Sequence, residues 1–257
     1  QGYSEPSAGS DLGNLGCRAV LDGDEWVING QKIWTSAGHL ANHIFVLART
    51  SPDDVKHRGI TFLLVDMRQK GIEVRPITMM SGDSEFNEVF FTDARCPKEN
   101  VVGEVNGGWM VAMTLLGNER GAGAVVSGIS FRGELDKLTG LAQSKGLTKN
   151  PHMRQRFAQA HIKVEIMRFL GYRALTAFLN GNQPGPEASI GKLWWSEYHK
   201  EVTELAVDVL GADAMVPVGQ TPHTAFTTDS PGSPNDSANW VGVFLNARAG
   251  TIYAGTS

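Results

Sequence analysis

Three stretches of this sequence carry side chains whose types and spacing suit chemistry. The first, Ser4-Glu-Pro-Ser-Ala-Gly-Ser-Asp11, is turn-rich and built from small residues. Small side chains let backbone N–H groups converge on an anion, and Ser4, Ser7 and Ser10 add hydroxyl donors. A phosphate-bearing ligand fits such a segment, and so does an ordinary polar loop; neither a GK[ST] ending nor a GxGxxG pattern is present. The second, Asn29-Gly-Gln-Lys-Ile-Trp-Thr-Ser36, sets Trp34 beside the hydroxyls of Thr35 and Ser36, directly after a strand pattern. An aromatic plane next to short donors can sandwich a flat heterocycle and bond its edge, the alternative being a tryptophan that caps a core. The third is Glu119-Arg120, in a run from Trp109 to Val126 that holds no other charge. A carboxylate turned into a bundle interior loses solvation, which poises it as a general base; a salt bridge to another helix is the competing reading.

Other polar residues offer less. His39 and His43 stand four apart, but no glutamate follows His39 as HExxH requires and no third ligand is evident, so no metal is expected. Met79-Met80 and Trp194-Trp195 read as core or pocket lining.

The elements that must position these residues divide by period. The 257 residues are 41% hydrophobic and 19% charged, enough apolar content for one large or two ordinary domains and too much for disorder or a fibre. With 23 Lys and Arg against 27 Asp and Glu, the net charge of -4 supplies no positive field for nucleic acid. Cys17 and Cys96 stand in no metal-ligand spacing and a chain of this size needs no disulfide, so a reducing, cytoplasmic compartment is expected. No apolar run approaches the roughly 20 residues of a membrane span. Because it starts at Gln1 and ends at Ser257 within a helix-like stretch, the sequence reads as a piece of a longer chain.

From Cys17 to about Asp93 short runs rich in β-branched and aromatic residues alternate with Gly, Pro, Asp and Asn, and Asp22-Gly-Asp24 marks a hairpin. Such strands without helices between them predict a small antiparallel barrel or sandwich. After Pro97 the period becomes helical. Helices are expected from Gly108 to about Lys145, after Pro151, from about Pro186 to Leu210 with Gly211 as the stop, and from near Ala238, with a loop over 215–239. The fold class is therefore α+β multidomain: an antiparallel, barrel-like β-domain over residues 1–98, then a four-helix bundle over 107–257.

Four motifs in order, Gly2-Tyr-Ser-Glu-Pro-Ser-Ala-Gly-Ser-Asp-Leu12, Val27-Ile-Asn-Gly-Gln-Lys-Ile-Trp-Thr-Ser36, Glu88-Val-Phe-Phe91 and Ala247-Arg-Ala-Gly-Thr-Ile-Tyr-Ala-Gly-Thr-Ser257, resemble the acyl-CoA dehydrogenase family over the whole chain. The style of the first and last motifs resembles a bacterial branch that includes pimeloyl-CoA and steroid side-chain dehydrogenases. The resemblance implies a middle β-domain and a C-terminal bundle with FAD between them, and an N-terminal helical domain and a tail beyond this sequence. It implies that Gln1, Tyr3, Ser4 and Ser10 line the flavin pyrimidine and pyrophosphate, Ser10 also nearing the acyl-CoA. Trp34 would stack on the isoalloxazine beside Thr35, and Ser36 would bond near N5. Arg120 would approach the CoA, with Tyr253 also on the substrate side. Val209, Leu210 and Gly211 would touch the adenine half of a neighbouring subunit's FAD, and Thr256 would meet the flavin.

Two departures from the family pattern stand out. Many members carry the catalytic Glu between Tyr and Gly-Thr, where this chain has Ala254; others place it directly before the retained Arg, where this chain has Glu119. The resemblance thus implies Glu119 as the base, with Ala254 keeping an oxyanion role through its backbone N–H. Secondly, the Arg-x-x-Phe-Gly motif that clamps a partner's FAD is not legible between Phe131 and Pro151. The reaction implied is dehydrogenation of an acyl-CoA to the trans-2-enoyl-CoA, with electron-transfer flavoprotein as acceptor and a homo- or heterotetramer as the assembly. A non-catalytic subunit of a heteromeric enzyme, favoured by Ala254, and a flavin oxidase or monooxygenase on the same fold remain open.

Overall fold

A computed structural model describes residues 1–53, 56–182, 189–216 and 237–255, of which 119–126 and 237–239 are described by their backbone alone. The chain packs as two compact units, Gln1–Leu116 and Gly117–Ser257.

The first unit is a six-stranded sheet of β1 (Arg18–Asp22), β2 (Glu25–Ser36), β3 (His43–Arg49), β4 (Ile60–Asp66), β5 (Ile72–Pro76) and β6 (Phe86–Pro97), in the order β4-β3-β1-β2-β6-β5. The hairpin expected at Asp22–Asp24 joins β1 to β2, with Asp22 opposite Glu25 and Gly23 at φ 65° in the turn. Every pairing is antiparallel except β1 with β3, which run parallel through Arg18 and Arg49. The exception follows from the chain path. β6 occupies the far edge of β2, so the strand that turns back after β2 can pair only beside β1, and two reversals leave it parallel to β1.

The sheet curls without closing into a barrel. β4 and β5 remain its edges, yet β4 meets β6 where the Cys96 thiol donates to the Leu64 carbonyl at 3.3 Å. Between the curled faces lie Trp26 and Ile28 of β2, Val46 of β3, Val65 of β4, and Val89 and Phe91 of β6. Both cysteines are free thiols in this core, and burial pushes each up to about 11.

The second unit is helical. α1 (Gly108–Ser144), α2 (Pro151–Leu179), α3 (Ser189–Leu210) and α4 (Ser237–Ala247) are its four α-helices among the described residues. They share a core of Leu138 from α1, Val164 and Met167 from α2, Val202 and Leu205 from α3, and Trp240 from α4. Gly128 of α1 faces the backbone of Arg168 on α2, where a Cβ would come within 3.0 Å of it. The start of α1 belongs to the first unit: Trp109, Val111 and Met113 pack with Leu47, Ile60 and Phe62, so the division by packing falls later than the change of period.

The helix ends follow local chemistry. Asn150 caps α2 by accepting from the His152 N–H at 2.9 Å and the Met153 N–H at 3.4 Å, with Pro151 at the first helical position. Gly211, at φ 62°, ends α3. Residues 186–188, where α3 was expected to begin, and 217–236, most of the expected loop, lie outside the described residues. No helix among the described residues is long and apolar enough to cross a membrane, and no group of His, Cys, Asp and Glu among them is arranged to hold a metal.

The cap yields a stability prediction. Asn150→Ala should lower unfolding stability by about 1 kcal/mol while Asn150→Asp stays near wild type. Denaturant melts read both, and an alanine variant as stable as wild type would show that the cap is idle.

Candidate functional site

In the first unit, the amino-terminal segment is fastened to β2 and β3 almost residue by residue. Gly2 donates to the Phe45 carbonyl at 2.8 Å and accepts from the Leu47 N–H at 3.2 Å, lying as a short parallel bridge on β3. The Gln1 carbonyl accepts from the Thr35 hydroxyl at 3.2 Å, the Tyr3 carbonyl from the Lys32 ammonium at 3.1 Å, and the Ser4 carbonyl from the Ile33 N–H at 2.9 Å. Glu5 then turns inward. Its carboxylate accepts from Lys32 Nζ at 2.7 Å, from the Cys17 N–H at 3.0 Å and from the Gly16 N–H at 2.6 Å. The side chains of this ion pair are 0% and 6% exposed for Lys32 and Glu5, and two such charges are tolerable inside a protein only when paired and hydrogen-bonded this fully. Ser4 is half-buried and Ser10 exposed.

The same strand carries the aromatic residue. Between the pairs Lys32–Val89 and Thr35–Asn87, β2 has two residues, Ile33 and Trp34, against the single Glu88 of β6. This is a β-bulge, with Trp34 at φ 64°, a left-handed conformation that costs a bulky residue of order 1–3 kcal/mol. The bulge turns Trp34 outward: it is 56% exposed, its ring edge-on to Phe86 at 6.2 Å, with the exposed Ser36 two residues on. Thr35 points the other way, buried, and its carbonyl accepts from Asn87 Nδ2 at 2.9 Å. Buried Asn87 also holds the Glu85 carbonyl at 3.2 Å and meets His39 Nδ1 at 3.1 Å, so the strand end after Trp34 is pinned from behind.

In the second unit, the chain after α4 is laced to α3. The Arg248 guanidinium donates to Glu204 at 2.6 Å and to the Lys200 carbonyl at 2.7 Å. Gly250 lies where a Cβ would touch the Trp195 ring at 3.4 Å. The Ile252 and Tyr253 N–H groups both donate to the Ala249 carbonyl, at 2.9 and 3.1 Å, and Lys192 of α3 donates to the Gly255 carbonyl. Between these ties sits Ala254, exposed and at φ 53°. At the end of α3, the side chains of Val209 and Leu210 are packed in the bundle core, whereas Gly211 is exposed. Any outward contact by this segment therefore comes from its backbone and from Gly211. The side chains of Glu119 and Arg120, and the whole of Thr256, lie outside the described residues; the backbone places Glu119 and Arg120 in the fourth turn of α1.

The first 94 residues match the acyl-CoA dehydrogenase middle domain, and residues 106–257 match the acyl-CoA dehydrogenase C-terminal domain. The chain belongs to the acyl-CoA dehydrogenase family. Among its relatives is the acyl-CoA dehydrogenase IpdE1 of Mycobacterium tuberculosis, 39% identical over 100% of this chain and 62% of that protein. Another is the cyclohexane-1-carbonyl-CoA dehydrogenase of Geobacter metallireducens, 34% identical over 81% of this chain and 56% of that protein. Solved structures resemble it throughout. The Tcur3481-Tcur3483 steroid ACAD superposes with a TM-score of 0.83 at 30% identity, covering 99% of this chain and 63% of that one. The ChsE4-ChsE5 complex from Mycobacterium tuberculosis does so at 0.80 and 31%, covering 99% of this chain and 64% of that one. The chain thus spans less than two thirds of the length of these relatives.

Acyl-CoA dehydrogenases are FAD flavoproteins. The face presented by the first unit fits such a group. Its exposed features are an aromatic plane at Trp34 and neutral hydroxyls at Ser10 and Ser36, and of the two carboxylates within the segment Glu5 is withdrawn and neutralised by Lys32, while Asp11 is exposed. A flat ring and an anionic pyrophosphate would meet no opposing charge from Glu5 there.

The ring and hydroxyls are legible from residue type; Glu5, Lys32, Asn87 and Lys192 are not. One signal was available for Lys32. It stands at the same parity as the buried Trp26 and Ile28 in β2, and a lysine at an inward strand position requires a buried acceptor.

Removing one partner of a buried pair leaves the other charge stranded. Lys32→Met alone should destabilise the protein by about 3–5 kcal/mol, and Lys32→Met combined with Glu5→Gln should recover a substantial part of that loss. Denaturant unfolding of the two singles and the double forms the cycle. A coupling energy near zero would mean that the pair does not hold the segment.

Proposed function

We propose that the protein is a FAD-dependent acyl-CoA dehydrogenase that removes the Cα proton and the Cβ hydride of an acyl-CoA thioester to give the trans-2-enoyl-CoA. The observation that carries this reading is the outward-turned Trp34, raised on a strained bulge and locked to the segment holding Ser4, in a chain whose two parts both match the family. FAD, when bound, supplies the hydride acceptor. The protein supplies the rest. Glu119, the lone carboxylate between Val105 and Glu134, takes the Cα proton on its carboxylate oxygen. The Ala254 N–H meets the negative charge that develops on the thioester oxygen, a role that needs no side chain. Arg120 and Tyr253 flank the CoA thioester, Ser10 serves both ligands, and Gly211 reaches a neighbouring subunit's cofactor by its backbone.

The substrate proposed is an acyl-CoA of the kind handled by its relatives, which include a steroid ACAD and a cyclohexane-1-carbonyl-CoA dehydrogenase. Electron-transfer flavoprotein is the proposed electron acceptor, a homo- or heterotetramer the proposed assembly, and the bacterial cytoplasm the proposed compartment, in keeping with two free thiols. A second reading, a non-catalytic subunit of a two-component enzyme, draws on Ala254 and on the paired names of the two structures compared.

Anaerobic mixing of the purified flavoprotein with straight-chain, ring-bearing and steroid acyl-CoAs, followed by flavin absorbance, separates the two. Loss of the oxidised flavin band with at least one thioester supports the dehydrogenase; an unreactive flavin in the protein alone, with activity appearing on adding a homologous partner, supports the second reading.

Two substitutions test the residues. Glu119→Gln should keep FAD and acyl-CoA binding and lose turnover by about 100-fold or more; bleaching at the wild-type rate would remove Glu119 from the mechanism. Trp34→Ala should lower FAD retention or alter the flavin spectrum, and an unchanged content and spectrum would place the ring elsewhere.

A further inference from the structure

Asn87 stands at an inward position of β6, in line with Val89 and Phe91, and its wholly buried amide works in three directions. Nδ2 donates to the Thr35 carbonyl at 2.9 Å and to the Glu85 carbonyl at 3.2 Å, and Oδ1 meets His39 Nδ1 at 3.1 Å. Two carbonyls on one side decide which end of the amide faces them, because only its NH2 group can donate. Oδ1 therefore faces His39, and His39 Nδ1 carries the proton of that bond. Gly38 permits the approach. A Cβ there would come within 3.2 Å of both Asn87 Cβ and Thr35 Cγ2, so the turn Gly38–Leu40 lies directly on the amide.

The segment that Asn87 holds is the end of β2, bounded on both sides by departures from strand geometry. The bulge at Ile33 and Trp34 interrupts the ladder before Thr35, and Ala37, at φ 50°, turns the chain out of the strand after Ser36. Two register pairs remain between them, Thr35 with Asn87 and Ser36 with Phe86. The Thr35 carbonyl and the Ser36 N–H belong to one planar trans peptide, so they point in opposite directions. With the carbonyl drawn to Asn87 on β6, the Ser36 N–H is turned away from β6. The Thr35 hydroxyl, which donates to the Gln1 carbonyl, ties the side chain and leaves this peptide to the strand pairing and to Asn87.

We infer that Asn87, steadied by His39, is a positioning residue that sets the Thr35–Ser36 peptide so that Ser36 can donate to the edge of the flavin ring. The inference rests on the flavin reading above and adds to it the side chains that aim the edge donor. A donor at the ring edge strengthens binding, and it favours the electron-rich reduced ring over the oxidised one.

The test uses the purified flavoprotein, and its apoprotein, as wild type, Asn87→Leu, His39→Ala and His39→Asn, with melting curves to follow folding. Asn87→Leu keeps the size and removes the donors without adding charge; His39 is exposed, so its removal leaves the core intact. Asn87→Leu is expected to weaken FAD binding to the apoprotein about fivefold or more, the worth of roughly one hydrogen bond, and to lower the reduction potential of the bound flavin. His39→Ala should shift both in the same direction by less, and His39→Asn, whose amide can donate as Nδ1 does, should recover the wild-type values. Hydrogen exchange of the apoprotein peptide covering 33–38 should speed up in Asn87→Leu and His39→Ala. Loss confined to Asn87→Leu supports Asn87 and overturns the part given to His39. If the wild type binds FAD and Asn87→Leu melts earlier yet matches it in affinity and potential, Asn87 is structural only, the inference is overturned and the flavin reading stands. If the wild type takes up no FAD, the flavin reading falls and exchange alone decides the pinning: faster exchange in Asn87→Leu supports it, and unchanged exchange overturns it.

Discussion

The buried pair of Glu5 and Lys32 is the constraint on which the first unit's functional face depends. Each charge alone would be prohibitive inside the sheet domain, so neither can be tolerated until the other arrives. The pairing therefore fixes two segments 27 residues apart at once. Lys32 spends a further donor on the Tyr3 carbonyl, and Glu5 gathers the N–H groups of Gly16 and Cys17 just before β1. The amino-terminal segment, the start of β1 and the middle of β2 thus close on one carboxylate. Outside that knot lie the hydroxyls and the ring that the flavin reading needs, with the exposed Asp11 beside Ser10.

A common device recurs at the two segments to which the proposed function gives roles. Residues in costly backbone conformations, Trp34 in β2 and Ala254 after α4, are held by donors aimed at neighbouring carbonyls. Around Trp34 the Ser4 carbonyl takes the Ile33 N–H freed by the bulge, and Asn87 takes the Thr35 carbonyl. Around Ala254, Lys192 takes the Gly255 carbonyl, while Arg248 anchors the preceding turn through the Lys200 carbonyl. Fixing a carbonyl oxygen fixes the plane of its own peptide, here the one after Thr35 and the one after Gly255, and so limits how far the neighbouring residue can move. Strain of this kind survives only where surrounding bonds outweigh it, and two of the positive-φ positions, Trp34 and Ala254, are ones to which the proposed function gives a role.

The bulge also explains why the strand was longer than its pattern. In sequence, Asn29–Ser36 reads as lying directly after a strand pattern. In the sheet, β2 continues to Ser36 because β6 is equally long, and two register shifts absorb the misfit. The second bulge, on β6, is stabilised by Asn29 and Asp93, which exchange bonds at 2.9 Å. An antiparallel expectation likewise failed at one place, the β1–β3 pairing, because strand direction there was set by which edge of β2 was still open.

Local chemistry was enough for the helices, the hairpin and the division into sheet and bundle: Asn150-Pro151 and Gly211 cap by their own backbone preferences, Gly23 turns by its own φ, and hydrophobic period is a property of neighbours in sequence. It was also enough to single out Trp34, Ser36 and Glu119, since ring, hydroxyl and isolated carboxylate are legible from residue type. Sequence could not say that Lys32 is wholly buried, that Thr35 turns inward while Trp34 turns out, that Val209 and Leu210 belong to a core, or that Lys192 reaches the loop 63 residues ahead of it. Those facts depend on partners brought from distant parts of the chain. A side chain's burial and the acceptor it finds are decided only when the pieces pack, and that is the information tertiary structure adds.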